Sequence, residues 1–350
     1  MIRRIWRDPL LTESGSLTSD RNYSTYAIGM GQTDLINLKY KDIKDAILPG
    51  KIVDEGCADG SLITQLVKDF PDSDIVGIEI TTEFMARCLE RKRAGEFGGT
   101  FVHFHQRNLL EPIFEDESID STICNSTTHE IWSYGNQLES ISGYIDKKFN
   151  QLKPGGRLII RDVVGPEDKD REVWLRANSD DGENEDILKK FNSAEELKEH
   201  LSKLSTHARF KRFAEDFLDE MRTTGRRDKN TKVLYREEVI GKVSYFVLPL
   251  KHAVEFMTRK DYVENWKSEL NEEFAFFSFS DWKKFLMERG FKIVENPNQP
   301  IQSSRIYTNE WIVDNRYKNK TELFIKNGKK LVPLEYPPTN VVLIAEKPHL

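Results

Sequence analysis

The sequence is short of cysteine, of cationic excess and of long apolar runs, and each shortage narrows what the protein can be. Its three cysteines, Cys57, Cys88 and Cys124, are too few and too scattered for a disulfide framework, and none stands in a C-x-x-C. A reducing cytosol is therefore the expected compartment. No apolar stretch approaches the roughly 18 residues that cross a bilayer, and Met1-Ile2-Arg3-Arg4-Ile5-Trp6-Arg7 runs into polar sequence rather than an apolar signal core. The expectation is a cytoplasmic protein with no membrane partner. With 52 Lys+Arg against 58 Asp+Glu the formal charge is −6, which gives no global pull towards nucleic acid or anionic lipid.

What is present suits a packed globular chain: 38% hydrophobic residues can fill a core, and 31% charged residues can solvate its surface. At about 150 residues per domain, 350 residues suggest two domains or one enlarged by an insertion. From about residue 50 to 165, short β-rich runs alternate with helical stretches, the pattern of βαβ units and a parallel sheet. The strand candidates are Lys51–Asp54, Ile75–Ile78, Phe101–Phe104, Ile119–Cys124 and Arg157–Arg161. Leu62, Ile63, Leu66, Val67 and Phe70 mark one helix face, and Leu138, Ile141, Ile145, Phe149 and Leu152 another. Lys153-Pro154-Gly155-Gly156 stops that second helix and launches the next strand.

Composition then shifts. Residues 166–200 hold 12 Asp/Glu against 6 Lys/Arg, whereas residues 207–232 hold 8 Lys/Arg against 5 Asp/Glu, so an acidic stretch is followed by a basic one. Within the basic stretch Phe210, Phe213, Phe217, Leu218 and Met221 form a helical stripe expected to pack as core. The α/β rhythm returns with a helix near Ser280–Glu288 and strands at Gly290–Val294 and Asn340–Ala345. The expected organisation is an N-terminal extension or lid over 1–44, an α/β domain formed by 45–165 and 276–350, and a largely helical insertion over 166–275 that covers the site and recognises substrate.

The most informative stretch is Ile52-Val53-Asp54-Glu55-Gly56-Cys57-Ala58-Asp59-Gly60-Ser61, a strand that breaks into a small-residue loop at the start of a helix. Glycine allows a sharp turn and a close approach, and a helix N-terminus favours an anionic group. A dinucleotide fingerprint begun at Gly56 would need glycines where the chain has Ala58 and Ser61, which disfavours an NAD-linked oxidoreductase. Glu79, at the end of the second strand, stands where an acid can grip a ribose diol.

Val53-Asp54-Glu55-Gly56-Cys57-Ala58-Asp59-Gly60 with Glu79 resembles the cofactor site of class I S-adenosylmethionine-dependent methyltransferases. Asn108-Leu109 after the third strand, Asp120–Asn125 as the fourth, and Leu152-Lys153-Pro154-Gly155-Gly156-Arg157-Leu158 continue the resemblance in order. It covers about 45–165 and, less specifically, 280–350. It implies a Rossmann-like fold, a mostly parallel seven-stranded sheet whose last strand is antiparallel, with S-adenosyl-L-methionine as cofactor. Gly56, Cys57, Ala58, Asp59 and Gly60 would approach the methionine part, Glu79 would bind the ribose hydroxyls, and Asn108 would lie by the adenine. Asp54, Ile80, Leu109, Asn125 and Ser126 complete the implied cofactor set. Ala58 replaces the usual glycine, which narrows the backbone choices of the loop.

In open α/β sheets the ligand lies beyond the carboxyl ends of the strands. After the fourth strand the chain reads Asn125-Ser126-Thr127-Thr128-His129-Glu130-Ile131-Trp132-Ser133-Tyr134-Gly135. Methyl transfer is an in-line displacement, so the site must position a nucleophile and, for a hydroxyl or similar acceptor, remove its proton. His129 is the expected base by its ordinary pKa, with Glu130 as its orienter or substitute. Asp162, ending the fifth strand beside Arg161, could hold an acceptor hydroxyl or amine. Trp132, Tyr134, Arg161, Arg226, Arg227 and Tyr307 are the candidate acceptor contacts. No metal is expected: H-E-x-x-H would require a second histidine where Ser133 stands.

The functional expectation is a methyltransferase acting on an oxygen or nitrogen acceptor, a small molecule on the strength of the acidic balance. One alternative is an RNA or nucleotide acceptor held by the basic 207–232 stretch. Another is a non-catalytic binding module with the same fold.

Overall fold

The computed structural model describes residues 33–98, 101–185, 191–296, 298–299 and 302–349. Residues 1–32, most of the expected extension, lie outside the described residues. In chain order the described strands are β1 (Lys51–Glu55), β2 (Asp74–Glu79), β3 (Val102–Gln106), β4 (Ile119–Asn125), β5 (Leu152–Val163), β6 (Glu172–Ala177), β7 (Arg236–Ile240), β8 (Val243–Pro249), β9 (Lys292–Ile293), β10 (Arg305–Tyr307), β11 (Thr321–Asn327), β12 (Lys330–Leu334) and β13 (Asn340–Glu346). The chain divides into two units, Met1–Asp162 with Asp281–Arg305 and Val341–Leu350, and Val163–Ser280 with Ile306–Asn340.

The first unit is built on an eight-stranded sheet in the order β10-β13-β5-β4-β1-β2-β3, with β9 also paired to β13. β1 runs parallel to both β2 and β4, and the parallel pairing continues from β2 to β3 and from β4 to β5. β9 and β13 are antiparallel. This is the mostly parallel, Rossmann-like methyltransferase architecture. The central strands are buried on both faces, with Ile52, Ile75, Ile78, Ile123, Ile159 and Ile160 inaccessible, as β-branched runs in a covered parallel sheet should be. Strand order reverses between β1 and β4, so a crevice opens at their carboxyl ends, the usual ligand position in such sheets.

Helix Ile63–Asp69 buries Ile63 and Leu66. Helix Leu138–Gln151 buries Ile141, Tyr144, Ile145 and Lys148, spaced as one helical face, whereas Leu138 of the expected stripe is exposed. Tyr144 and Lys148 belong to that face because Glu55, wholly buried at the end of β1, accepts from both the phenol and the ammonium. A purely apolar pattern could not reveal them.

The second unit joins the helices of the insertion, among them Ala194–Lys203, Thr206–Asp216 and Leu250–Arg259, to a sheet. It holds a five-stranded sheet, order β12-β11-β6-β8-β7, antiparallel at every pairing. Its β11–β12 hairpin comes from the 306–340 segment, expected in the α/β domain, because Thr321–Phe324 pair with Ala177–Trp174 of β6. The expected Phe stripe is buried as core. Phe210 stacks on Phe246 at 4.0 Å between ring centroids and meets Phe256 edge-on at 5.1 Å. The stripe spans two helices, Thr206–Asp216 and Asp219–Thr223, separated at Leu218 by a left-handed residue of φ +57°. Among the described residues no helix is long and apolar enough to cross a membrane.

Candidate functional site

Four strand ends converge on the site of the first unit. β1 supplies Asp54 and Glu55 and then turns through Gly56, Cys57, Ala58, Asp59 and Gly60. Gly56 has φ +70°, and a Cβ there would run into the Thr127 hydroxyl, so the turn requires glycine. The loop is laced to β2, with Gly56 and Cys57 N–H donating to Ile78 O at 2.9 and 3.0 Å. Ala58 takes φ +47°, the left-handed conformation a glycine would adopt without strain. Two contacts hold it there: its N–H donates to Glu79 Oε2 at 3.0 Å, and its carbonyl accepts from Cys88 Sγ at 3.0 Å.

Glu79 is 7% exposed. Its Oε1 accepts from Thr81 N–H at 2.8 Å and from the Thr81 hydroxyl at 3.0 Å. Burial pushes the carboxyl up to about 7 against the pull of the Thr81 and Ala58 N–H groups, and nearby Glu130 adds to the rise. Burial likewise pushes Asp54 up to about 7, reinforced by Glu55 and Glu79. Asp54 Oδ2 is buried without a hydrogen-bond partner. A buried, unanswered carboxylate oxygen beside a glycine turn fits the α-ammonium of a methionine moiety, and the remaining lone pair on Glu79 Oε2 fits a ribose hydroxyl. The residues present therefore suit S-adenosylmethionine.

Around this loop, Ile80 and Asn108 are half-buried and Leu109 is buried. Asn108 turns the chain after β3 by accepting from Leu110 N–H at 2.9 Å. On the other side of β1, Ser126 follows Asn125 at φ +57° and donates its N–H to Arg161 O at 2.7 Å. Thr127 binds the Glu55 carbonyl through its hydroxyl at 3.3 Å.

β4 and β5 are paired with Asn125 opposite Arg161, so the helix Thr128–Tyr134 starts over the end of β5. Asp162, inaccessible to solvent, accepts from Thr128 Oγ1 at 2.5 Å, from His129 N–H at 3.2 Å, and sits 2.7 Å from His129 Nδ1. His129 and Asp162, singled out separately in the sequence, thus form one buried pair. Glu130 is half-buried on the same helix, with Trp132 half-buried and Tyr134 buried.

Arg161 donates to Asp42 Oδ2 at 3.0 Å, and Arg305 Nη2 donates to Asp42 O at 3.0 Å. Asp42 belongs to the helix Thr33–Ile43, the described part of the expected extension, which also carries the buried Lys39. The sequence reading missed both residues, and no local pattern marks either one.

Arg226, Arg227 and Tyr307 belong to the second unit. Arg227 is buried and donates to Glu273 Oε2 at 3.3 Å, while Arg226 is exposed and Tyr307 half-buried. Most of the 207–232 cations are engaged internally. Arg209 caps Leu201 and Leu204 carbonyls, Arg222 caps those of Glu215, Phe217 and Thr231, Lys211 pairs with Glu237 and Arg212 with Asp216.

A family described as "Methyltransferase domain" matches residues 50–234. No curated protein matches the chain. Similar solved structures include a Methanosarcina mazei S-adenosylmethionine-dependent methyltransferase, 14% identical, covering 87% of this chain and 96% of that one at TM-score 0.43. A geranyl diphosphate C-methyltransferase from Streptomyces coelicolor is 10% identical, with 94% and 86% covered and TM-score 0.42. Magnesium protoporphyrin IX methyltransferase from Synechocystis is 12% identical, with 94% and 89% covered and TM-score 0.41. The family match spans more than half of the chain and carries the glycine loop, Glu79, His129 and Asp162: the chain belongs to the class I S-adenosylmethionine-dependent methyltransferases.

Proposed function

We propose that this methyltransferase modifies an oxygen or nitrogen atom of a small molecule, with His129 as the base and Asp162 as its orienter. The carrying observation is the 2.7 Å contact between His129 Nδ1 and Asp162 Oδ1. A carboxylate on Nδ1 selects the tautomer whose Nε2 keeps a lone pair, and that nitrogen can take the proton of an acceptor hydroxyl or amine. Asp162 is itself held by Thr128, so the imidazole orientation is fixed before an acceptor arrives. Glu130 is the substitute base.

S-adenosyl-L-methionine, when bound, supplies the electrophilic methyl group. Asp54 would pair with its ammonium, Gly56 to Gly60 would line the methionine part, and Glu79 would take a ribose hydroxyl. Ile80, Asn108 and Leu109 would enclose the adenine, with Asn125 and Ser126 on the opposite side of the loop. Trp132, Tyr134 and Arg161 are the acceptor contacts proposed within the first unit. A small acceptor is supported by the internal pairing of the 207–232 cations, which leaves few charges to follow a phosphate backbone. The cytoplasm is the proposed compartment, supported by Cys57, Cys88 and Cys124 all being free thiols.

Calorimetry with S-adenosylhomocysteine tests the cofactor assignment: the wild type binds and Glu79→Ala binds at least tenfold more weakly. No binding by the wild type, or equal binding by both, rejects it. Once an acceptor is found, His129→Ala and Asp162→Asn should each lower kcat by about 10² to 10⁴, and unchanged turnover in both removes the pair from the mechanism.

A further inference from the structure

We propose that β7 is a dimerisation edge, whose outer side pairs antiparallel with β7 of a second copy of this chain in the register that sets Glu237 opposite its own counterpart.

The five-stranded sheet ends in β12 on one side and in β7 on the other, and an edge strand presents main-chain donors and acceptors to any strand that can answer them. Which residues present them follows from the hairpin. Gly241-Lys242 joins Ile240 to Val243 as a two-residue turn, with Gly241 at φ +68° in its first central position. Such a turn closes on a hydrogen-bonded pair, and bonding then alternates along the strands. Arg236, Glu238 and Ile240 therefore turn their N–H and C=O towards β8. Glu237, Val239 and, one step before the strand, Tyr235 turn theirs outward, where among the described residues no other main chain meets them.

The opposite edge is blunted. The Asn327–Lys330 pair closes the β11–β12 hairpin in the same way, which points the main chain of Leu331 and Pro333 outward, and Pro333 has no N–H to offer. β7 carries no proline and exposes apolar side chains: Leu234 is 71%, Val239 68% and Ile240 40% exposed.

Charge and shape choose a second β7 as the occupant. Across a two-fold axis, centring the pairing on Arg236 or on Glu238 would set like charges face to face at that residue. Centring it on Glu237 sets Arg236 opposite the partner's Glu238, Tyr235 opposite the partner's Val239 and Leu234 opposite the partner's Ile240, each arrangement occurring twice. Opposite charges and an aromatic against a β-branched residue are stabilising cross-strand pairs. The two Glu237 side chains meet at the axis, where each is already answered by its own Lys211 at 2.9 Å. Arg236 is held by Glu172 at 2.6 Å and Glu238 by Trp174 Nε1 at 3.0 Å, yet their side chains remain 55% and 30% exposed and can take a partner across the axis. The same strand thus supplies both halves of a closed, isologous contact.

Sedimentation equilibrium of the full chain, from about 1 µM to about 1 mM, reads the association. Wild type should show a monomer–dimer equilibrium. Arg236→Glu and Glu238→Arg should each weaken it at least about tenfold, because like charges then face each other twice. Mixed one to one, the two variants should dimerise again, since every cross-axis pair of the mixed dimer joins opposite charges. Loss of fold would not be rescued in this way. Glu237→Cys and Lys242→Cys test the register under oxidised glutathione. Residues opposite each other in a hydrogen-bonded pair have Cα atoms about 5.5 Å apart, within disulfide reach, so Glu237→Cys should crosslink to its copy and Lys242→Cys should not. The native thiols Cys57, Cys88 and Cys124 are buried. Should either charge variant fail to fold by circular dichroism, the two cysteine variants decide alone. A wild type monomeric throughout overturns the proposal. So do a dimer that neither charge reversal weakens, a mixture of folded variants that stays monomeric, and a Glu237→Cys protein that crosslinks no better than Lys242→Cys.

Discussion

The Ala58 N–H donates to Glu79 Oε2 at 3.0 Å, tying the glycine-rich turn after β1 directly to the acid at the end of β2. The bond explains how an alanine can hold φ +47° here. A left-handed alanine costs about 1–2 kcal/mol, and a hydrogen bond to a charged partner returns about the same amount. It also sets one lone pair of Oε2 against the loop, so the turn and the Glu79 carboxyl are positioned as one piece.

Ala58→Gly should therefore stabilise the protein by up to about 1 kcal/mol. The N–H donor is unchanged and the strain at φ +47° is relieved, while the freer unfolded chain offsets part of the gain. Ala58→Val, with a β-branched side chain at the same φ, should cost more than 2 kcal/mol. Urea unfolding of the three proteins checks the order Gly, Ala, Val, and any other order contradicts the strain argument.

Asp54 and Glu79 predict an inverted pH dependence for these two groups. Both folded-state values are raised to about 7, above their ordinary 3.8 and 4.5. Each contribution is therefore fully favourable below about pH 4 and is lost as pH rises through 7, by an order of 3 kcal/mol per group before mutual coupling. Asp54→Asn removes that loss for one site. It should make the cofactor-free protein more stable than wild type at pH 8 and about equal at pH 4. Equal stability at pH 8 would mean that the carboxylate is answered after all, and cofactor affinity should fall in the same variant.

How much of this could be read from the sequence follows from how local each contact is. The glycine loop and Glu79 were legible because each motif sits at one strand end, and the fold places such ends side by side. His129 and Asp162 were legible as separate candidates, but their pairing depends on β4 lying beside β5 with Asn125 opposite Arg161. The Asp42–Arg161 pair joins residues 119 positions apart, and no periodicity encodes it. The same holds for β11, whose partner β6 lies far earlier in the chain, and this is why 306–340 was expected in the α/β domain. Nothing in the sequence marks Lys148 as buried, because its partner Glu55 lies on another element.

The Asp42–Arg161 pair makes a prediction about local rather than global stability. Arg161 is 6% and Asp42 22% exposed at the side chain, so the pair is screened less than a surface bridge. Asp42→Asn should cost about 1 kcal/mol and concentrate the loss in the helix Thr33–Ile43. Hydrogen exchange should quicken in that helix and stay unchanged in β1 and β4. Uniform acceleration across the sheet would show that the helix unfolds only with the whole unit.

The Glu55–Lys148 pair offers the strongest global test, because both groups are buried to 1% exposure or less. Lys148 also donates to Gln151 Oε1 at 3.0 Å, and Glu55 accepts from Tyr144, so each charge is answered more than once. Removing one partner leaves an uncompensated buried charge, which costs about 3–5 kcal/mol. Lys148→Met and Glu55→Gln should each fall in that range. The double variant should be far less destabilised than the sum, because the second substitution removes the charge the first one stranded. A double-mutant cycle in urea measures this directly. Additive losses would mean that water or another group answers the stranded charge, and that the pair does not hold β1 to the helix Leu138–Gln151 as a unit.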